Sequence, residues 1–556
     1  EGTLSTYNPN GLLSPTVQLG GATAESTVGT YRFAKTDGGV FTTRNFEMNL
    51  GGGTIEVTDD FLGVTGTITG SGALTKAGNG ILIMSNTGNT FSGGFNISAG
   101  TVEVGISGNN VLGAGTVTMA DGTILTPQSG VNRTITNNMV LDGNVTIGTS
   151  GKGQLTIGGG GSFSTSLGAA TREITVTGAA RISNNITGGA SDVGLTKLGA
   201  GTLQIISGAS YTGATTVGEG TLAVSGAANR INTGSSLTVS NGATFAMLDG
   251  NQAFASIAGA GSISLSNNNL TNLSTANSTF SGALSGTGEL VKTGTGTFTL
   301  SGDNSSFTGK TAISGGVLSI NADNRLGAAP GTAVADQLTL SGGTLDVSTG
   351  FTMSANRGIT LSSNSGISVA ASQNLSYGGI ITGASQLTKT GTGTLTLTGG
   401  NTLSGALNVN GGMVVLNRTG GPALAATNSV NINNGGTLRT DAAGQLIGSP
   451  LVTLATGGTY NLNNFAQTNA LAGEGGTVEL GSATLAISNT GNDSFSGVIE
   501  GTGGLNKIGA GSQVLAGANT YSGVTTVSNG VLRLGGSGTT IAGNVTIAGG
   551  TLDYSS

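Results

Sequence analysis

Short hydrophobic segments separated by glycine turns recur along this chain of 556 residues. Between residues 383 and 416, apolar residues alternate with Thr, Ser or Asn in four short segments, and glycines or polar turns lie between the segments. This period of two is typical of β strands with one buried face, and glycine supplies the backbone angles that tight corners need. The pattern predicts four strands here and indicates strand, without a convincing helical period, throughout the chain.

Five copies of this pattern align on one lysine each. Each lysine precedes two glycines separated by one residue, and then a bulky residue two positions before another glycine. The distance from the lysine to that last glycine is 16 or 17 residues in every copy, as from Lys76 to Gly93. The lysines are Lys76, Lys197, Lys292, Lys389 and Lys507, and the copies are anchored near residues 72–105, 193–224, 288–320, 383–416 and 503–534.

A repeat that keeps its phase over most of a chain favours stacked coils over a β sandwich. Successive lysines are 95 to 121 residues apart, so segments that differ by about one coil lie between the copies. Residues 1–45 are expected to be a partial entry unit, because residues 17–23 match the coil at residues 338–344. The predicted fold is all-β, with residues 1–556 forming one continuous, elongated parallel β-helix (β-solenoid) of about 25 coils and roughly 120 Å.

Composition agrees with stacked strands and excludes several functions. Charged residues make up 8% of the chain, which fits coils in which like charges would stack on one another and repel. A net charge of −6 without a basic patch argues against nucleic-acid binding, and no apolar run approaches the length of a membrane span. The chain contains no cysteine, so disulfides and thiol chemistry are excluded.

The fifth copy carries the most specific motif. It contains Leu505-Asn506-Lys507, then residues 519–523 (Asn-Thr-Tyr-Ser-Gly), residues 525–527 (Thr-Thr-Val) and residues 530–532 (Gly-Val-Leu). This series resembles the passenger-associated, autotransporter-associated β-strand repeat. The resemblance implies a right-handed parallel β-helix on the surface of Gram-negative bacteria, often exported through an outer-membrane barrel. Because the chain starts at Glu1 rather than Met, we expect a mature or excised portion.

The chain offers little for catalysis. It has no histidine, cysteine or tryptophan, which removes Ser-His-Asp and Cys-His catalysis and the usual zinc sites. Carboxylates are the remaining candidates for catalysis. A catalytic groove of acidic residues with Arg325 is conceivable, but we favour the interpretation that these acids are ordinary solvated surface residues. The acids of this groove are Asp303, Asp323, Asp336 and Asp346, whereas Asp59 and Asp60 are adjacent and would point to opposite faces of a strand. We expect no enzyme, no catalytic, cofactor-binding or metal-ligating residues, and no cofactor.

The repeated lysines and bulky residues have two interpretations each. A row of lysines could bind an acidic glycan, but each lysine lies at a strand end, and a structural role is favoured instead. That role is either to donate hydrogen bonds to turn carbonyls or to deter pairing at a strand edge. Glycines such as Gly78 and Gly80 resemble a phosphate-binding loop, but no helix follows them. Packing rather than sugar stacking is favoured for the bulky positions, because leucine replaces an aromatic residue in one copy: Phe91, Tyr211, Phe307, Leu403 and Tyr521.

The favoured function is therefore a structural or adhesive cell-surface protein, a rigid extracellular rod, fibre or surface-coat component of a Gram-negative bacterium. The alternative is a polysaccharide-binding or polysaccharide-degrading β-helix protein, similar to a tail fibre or a lyase. We recognise no capping segment at either end of the chain. Two explanations are open: the chains associate end to end into filaments, or the chain is a slice of a longer array. Cell-surface or matrix glycans remain candidate partners. We expect no binding to nucleic acid and no insertion of this segment into a membrane.

Overall fold

The computed structural model describes residues 2–12, 14–23, 27–159, 163–189, 192–425, 429–536 and 540–554. These residues form β strands and turns, with no α helix among them and two short 3-10 helices at Pro9–Gly11 and Asp323–Leu326. The chain separates into two compact units. Unit 1 comprises residues 1–271 and 281–285, and unit 2 comprises residues 272–280 and 286–556.

Every strand pairing within the described residues is parallel, and each strand pairs with the equivalent strand of the next coil. In unit 1, Leu82 is in register with Leu62 of the preceding coil and with Val102 of the following coil. In unit 2, Leu395 pairs in the same way with Leu375 and Val414. Parallel pairing between successive coils defines a β-solenoid, which confirms the predicted fold class. The continuity of one solenoid through residues 1–556 stays a prediction.

Most strands of unit 1 contain only three to five residues. In chain order they are Thr3–Thr6, Thr16–Leu19, Gly29–Phe33, Val40–Thr42, Asn45–Met48, Gly53–Val57, Phe61–Val64, Ile68–Gly70, Leu74–Ala77, Ile81–Met84, Phe95–Ile97, Thr101–Val104, Val117–Met119, Ile124–Pro127, Arg133–Ile135, Met139–Leu141, Val145–Ile147, Leu155–Ile157, Ser164–Ser166, Arg172–Thr175, Ala179–Ile182, Asn185–Thr187, Leu195–Leu198, Thr202–Ile205, Thr215–Val217, Thr221–Val224, Ser236–Val239, Thr244–Met247, Gln252–Phe254, Ser256–Gly259, Ser262–Ser264, Leu270–Asn272 (its last residue belongs to unit 2) and Ala283–Ser285.

Unit 2 is built from similar strands, with three longer ones. In chain order they are Ser278–Phe280, Leu290–Lys292, Thr297–Leu300, Thr311–Ile313, Val317–Ile320, Val334–Ser341, Thr344–Val347, Phe351–Met353, Arg357–Ser363, Ser365–Val369, Asn374–Tyr377, Ile381–Gly383, Leu387–Thr390, Thr394–Leu397, Thr402–Leu403, Leu407–Val409, Gly412–Leu416, Ser429–Ile432, Gly436–Thr440, Leu451–Leu454, Thr459–Asn461, Gln467–Gly473, Thr477–Glu479, Leu485–Ile487, Asn492–Phe495, Val498–Glu500, Leu505–Lys507, Ser512–Leu515, Thr525–Val527, Val531–Leu534, Val545–Ile547 and Thr551–Asp553.

The core of each unit is a stack of apolar side chains inside the coils. In strand Thr394–Leu397 the two leucines are buried and the two threonines are only half-buried, which is the alternation of a pleated strand with one inner face. Because the pairing keeps register, each inner leucine lies on an apolar side chain of the coils before and after it. The period of two seen in the sequence therefore corresponds to inside and outside positions.

Glycines turn the corners between strands where no other residue fits. Gly391 has a φ of +70°, and a Cβ atom placed on it would lie 2.3 Å from the carbonyl oxygen of Val369 in the preceding coil. A Cβ atom on Gly393 would lie 2.1 Å from the carbonyl oxygen of Ala370. The repeated pair of glycines thus allows one coil to approach the next at backbone distance.

Candidate functional site

The five repeated lysines are buried inside the coils. Lys76, Lys197, Lys292 and Lys389 have no exposed surface, and Lys507 is 1% exposed. Each lysine ends the inner face of its strand, where the chain enters the turn with the repeated glycines. A row of buried amines cannot present a charged surface to an acidic glycan, so the geometry supports the structural interpretation of these residues.

In four of the five copies, carbonyl oxygens of two successive turns accept hydrogen bonds from the lysine ammonium group. The Nζ atom of Lys389 donates to the carbonyl oxygens of Thr390 at 2.7 Å, Gly391 at 2.9 Å and Gly411 at 3.2 Å. The first two acceptors belong to the turn of the lysine's own coil, and Gly411 belongs to the next coil. The lysine thereby joins two neighbouring turns.

The other copies use the same type of contact. The Nζ atom of Lys76 donates to Ala77, Gly78 and Ala99 at 2.9, 2.7 and 3.1 Å. That of Lys197 donates to the carbonyl oxygens of Gly199 at 2.6 Å and Glu219 at 3.0 Å. In the third copy the acceptors are Ser274 at 3.5 Å and Gly294, and in the fifth copy the acceptor is Gly509. The expected hydrogen bonds to turn carbonyls are therefore confirmed in all five copies.

Burial makes the charged form of these lysines less favourable. Removal from water lowers the pKa of Lys76, Lys197 and Lys389 from 10.5 to about 8, and also lowers the pKa of Lys292 and Lys507. Nearby Glu56 and Glu219 oppose the shift at Lys76 and Lys197, respectively. The carbonyl oxygens that accept from Nζ also favour the protonated amine.

The bulky residue of each copy packs inside the coil. Phe91, Phe307, Leu403 and Tyr521 have no exposed surface, and Tyr211 is 1% exposed, so none of these side chains is available to stack on a sugar. The two tyrosines satisfy their hydroxyl groups internally. Tyr211 Oη lies 2.8 Å from Thr215 Oγ1, and Tyr521 Oη lies 2.7 Å from Thr525 Oγ1. The favoured packing role is confirmed.

Buried asparagines form a second set of contacts between coils, and sequence reasoning missed their role. Asn401 Oδ1 accepts from the backbone N of Ile381 at 2.8 Å, and its Nδ2 donates to the carbonyl oxygen of Ala423 at 3.0 Å. One side chain thus links the preceding coil to the following one, and the backbone N of Asn401 donates to the same Ala423 carbonyl oxygen at 3.0 Å. Asn89 makes the same two bonds, to Ile68 N and the carbonyl oxygen of Val111, both at 2.8 Å.

The position of these asparagines is itself part of the repeat. Asn519 likewise accepts from the backbone N of Ile499 at 3.0 Å. In the sequence, each of the three asparagines lies two residues before the bulky position, and that spacing is the signal that could have identified them. In the second copy Ala209 occupies the position and pairs directly, through its backbone, with Ile186 and Ile231.

The acidic residues considered for catalysis each have partners of their own. Asp303 Oδ1 accepts from Ser305 N at 3.0 Å and Asn324 Nδ2 at 2.9 Å. Asp323 pairs with buried Arg357, with 3.2 Å between Oδ1 and Nε.

The remaining acids of this set are also engaged separately. Asp336 pairs with Lys310 at 2.6 Å, and Asp346 accepts from Ser319 Oγ at 2.8 Å. Arg325 donates to Asn321 Oδ1 at 2.7 Å and to the carbonyl oxygen of Gly302 at 2.9 Å. The hypothetical groove of acids around Arg325 is thus not formed through these contacts.

The other acidic pair offers no chelating arrangement. Asp59 and Asp60 are exposed, and Asp59 Oδ2 accepts from Thr58 Oγ1 at 2.9 Å. Among the described residues, no group of three or more acidic side chains is placed to hold a metal ion. The turn at Asp60 has a φ of 41°, which an aspartate adopts more readily than most residues.

Two arginines at equivalent positions hold the short 3-10 helices. Arg357 donates to the carbonyl oxygens of Leu326 at 2.9 Å and Gly327 at 3.0 Å, at the end of helix Asp323–Leu326. Arg44 donates to the carbonyl oxygens of Pro9 at 2.6 Å and Asn10 at 3.2 Å in helix Pro9–Gly11. Both arginines lie 32 residues before the lysine of their copy. The arginine of this motif therefore satisfies a helix end of the preceding coil.

The buried lysines, asparagines and bulky side chains define a parallel β-solenoid in which the repeated residues bind the coils to one another. The passenger-associated-transport-repeat family matches the chain five times, at residues 74–104, 195–224, 290–320, 387–416 and 505–534. The chain carries five passenger-associated-transport repeats, and these repeats and the fold fit the passenger domain of an autotransporter. Such repeats imply secretion and exposure at a surface.

Searches of the curated proteins and of the solved structures found no match to the chain. In the part of the chain that the structure describes, no helix is long and apolar enough to cross a membrane.

Proposed function

We propose that this protein is a structural or adhesive component of the surface of a Gram-negative bacterium, and that its solenoid acts as a rigid extracellular rod. The supporting observation is the use of the repeated side chains. The lysine, the asparagine and the bulky residue of a copy all face inward and bind backbone or pack in the core. What is repeated along this chain is thus the means of stacking coils, and not a ligand-binding surface.

The outer face adds to the stiffness expected of a rod. On unit 2, Asn431 Nδ2 donates to Asn408 Oδ1 at 2.7 Å, and Asn408 Nδ2 donates to Gln386 Oε1 at 3.3 Å. These amides lie on three successive coils and continue the hydrogen bonding of the backbone outside the core. Similar ladders stabilise other stacked parallel strands.

We also propose that the protein has no enzymatic activity. The four acids of unit 2 that were considered for catalysis have arginine, lysine, serine or asparagine partners, as described above. End-to-end stacking into filaments stays a prediction of the sequence.

Two measurements on the purified 556-residue chain test the proposal. Negative-stain electron microscopy is expected to show rods of about 120 Å, the length given by about 25 coils at strand spacing. Globular particles would contradict the rod. Incubation with a panel of acidic and neutral polysaccharides is expected to release no reducing ends.

Polysaccharide cleavage would favour the alternative enzyme function. Variants Asp303→Asn and Asp323→Asn would then locate it, with Asp59→Asn as a control remote in sequence from both. Binding of beads coated with the chain to cells or matrix, without cleavage, would separate an adhesive role from a purely structural one.

A further inference from the structure

We propose that the turn at Asn529 and Gly530 is a self-modifying site, at which the asparagine is converted through a cyclic imide into aspartate or isoaspartate. The reaction needs only water as co-reactant. The conversion would give the fifth copy a carboxylate at position 529, where the second copy has Glu219 at the equivalent position.

The turn places the two reacting groups against each other. The backbone N of Gly530 donates to Asn529 Oδ1 at 2.8 Å, so this nitrogen lies beside the side-chain carbonyl of the preceding residue. Within the described residues the Gly530 N–H has no other acceptor. Asn529 is exposed to solvent, which supplies the base and the water that the reaction uses.

The surrounding coil holds this arrangement in place. The backbone N of Asn529 donates to the carbonyl oxygen of Lys507 at 3.1 Å, and the carbonyl oxygen of Gly530 accepts from Thr551 N at 2.8 Å. Gly530 has a φ of +64°, and a Cβ atom on it would lie 2.4 Å from the carbonyl oxygens of Gly509 and Gly511. Only glycine fits, and glycine leaves its nitrogen unshielded by a side chain.

The chemistry is an internal acyl transfer. The Gly530 nitrogen loses its proton to water or hydroxide and attacks Asn529 Cγ. The bond from nitrogen to Cγ forms, the bond from Cγ to Nδ2 breaks, and Nδ2 leaves as ammonia. Water then opens the imide at Cγ to give aspartate, or at the main-chain carbonyl to give isoaspartate.

Four of the five other Asn-Gly pairs of the chain provide internal controls. The glycine nitrogens of three pairs donate to backbone carbonyls instead: Gly11 to Asn8 at 3.1 Å, Gly80 to Val57 at 2.8 Å and Gly435 to Gly457 at 3.1 Å. In a fourth pair, the side-chain oxygen of Asn410 accepts from Asn433 Nδ2 at 2.6 Å. These contacts hold either the nitrogen or the amide away from reaction.

The register of the repeat shows what the modification would change. Asn529 lies 22 residues after Lys507, as Glu219 lies 22 residues after Lys197. In the second copy, the backbone oxygen of Glu219 accepts from Lys197 Nζ at 3.0 Å and its Oε2 accepts from Gly199 N at 2.9 Å. Aspartate at position 529 would place a carboxylate at the equivalent point, close to the turn that holds the fifth lysine.

Isoaspartate, the other product, would instead disturb the pairing of the following strand. It would add a methylene group to the backbone directly before strand Val531–Leu534, which pairs in register with Ser512–Leu515. We therefore expect the two products to differ in the local stability of this coil. Aspartate should keep pairing close to native, and isoaspartate should disturb its register.

Peptide mapping by mass spectrometry tests the proposal. The full chain is incubated folded in mildly alkaline water enriched in oxygen-18, and incorporation is quantified at each Asn-Gly pair. We expect conversion at Asn529 to be roughly tenfold faster or more than at Asn410 and Asn434, because its reactive groups are pre-positioned. In strong denaturant the sites are expected to react at similar rates.

Equal rates at the three sites in the folded chain, or faster conversion of Asn529 after unfolding, would overturn the proposal. The variant Asn529→Gln lengthens the side chain by one methylene, so that a larger and less accessible ring is required. It is expected to abolish labelling of this peptide while the circular dichroism spectrum stays unchanged. Labelling that persists at position 529 in this variant would also refute the assignment.

Discussion

Replacing Lys389 by methionine tests whether the buried lysine stabilises the solenoid. Methionine has a similar length and keeps the apolar part of the side chain inside the coil, but it cannot donate a hydrogen bond. The carbonyl oxygens of Thr390, Gly391 and Gly411 would each lose the Nζ donor, and Gly411 lies in the next coil. The substitution therefore removes the bonds between two turns without creating a large cavity.

Two opposing effects set the expected magnitude. A hydrogen bond to a charged group contributes about 1.5–3 kcal/mol, so three such bonds amount to roughly 5 kcal/mol at the lower end of that range. Burial opposes this, because lowering the pKa from 10.5 to about 8 corresponds to an order-of-magnitude penalty of about 3 kcal/mol for the charged amine. The net expectation for Lys389→Met near neutral pH is a loss of about 2 kcal/mol in the free energy of unfolding.

Urea unfolding followed by circular dichroism measures this loss. Lys310→Met is a matched control, because Lys310 is about half-exposed and its pairing with Asp336 lies at the surface. Exposed ion pairs contribute less than about 1 kcal/mol, so this variant is expected to unfold almost as the wild type does. A Lys389→Met protein as stable as the wild type, or more stable, would show that the burial penalty outweighs the three hydrogen bonds.

Three further predictions concern the glycine corner, the buried asparagine and alkaline pH. Gly391→Val is expected to destabilise by about 2 kcal/mol or more because φ is positive there, whereas Gly331→Val, with open space around it, should leave the thermal midpoint unchanged. Asn401→Leu leaves the Ile381 amide and the Ala423 carbonyl without this side chain's hydrogen bonds, and should lower the unfolding free energy by about 2–4 kcal/mol; no change in urea would contradict that role. Stability should rise between about pH 8 and pH 10, because folded lysines release protons that the unfolded chain still binds, and a flat urea midpoint across that window would refute the shifts of Lys76, Lys197 and Lys389. Above about pH 10 stability should fall again, because burial raises the pKa of tyrosines such as Tyr31, to about 12, so that the folded chain keeps protons that the unfolded chain loses.

The fold and the inner role of the repeated residues could be predicted from the sequence. The alternation around residues 383–416 predicts four of its strands, because inside and outside simply alternate along a pleated strand. The two-residue strand Thr402–Leu403 lies where the sequence indicated a polar turn, because two residues are too few to show an alternation. The lysine hydrogen bonds were also predictable, since an amine directly before a glycine turn has turn carbonyls within reach. Leucine at position 403 indicated packing for the whole set of bulky residues, and the structure confirms it.

Contacts between distant positions were not predictable in the same way. Arg357 meets helix Asp323–Leu326 about 31 residues earlier in the chain, a separation that depends on the length of the intervening coil. The helix itself has four residues, too few to produce a helical period in the sequence. Asn401 lies two residues before the bulky position, a spacing that three copies share, but its two backbone partners lie 20 and 22 residues away on either side. Sequence patterns specify whether a residue faces inward or outward, but its contact partner in the neighbouring coil depends on the exact length of that coil.

The lysine that bridges two turns also determines where this chain can be lengthened. Lys76 reaches the carbonyl of Ala99, Lys197 that of Glu219 and Lys389 that of Gly411, so each bond spans 22 or 23 residues. An insertion inside such a span would move the acceptor out of reach. The coil from Ile313 to its register partner Leu340 is not spanned by a bond from a repeated lysine and already holds 27 residues, including a 3-10 helix. Foreign peptides displayed on this scaffold should therefore be tolerated in that coil and rejected in the lysine-bound ones.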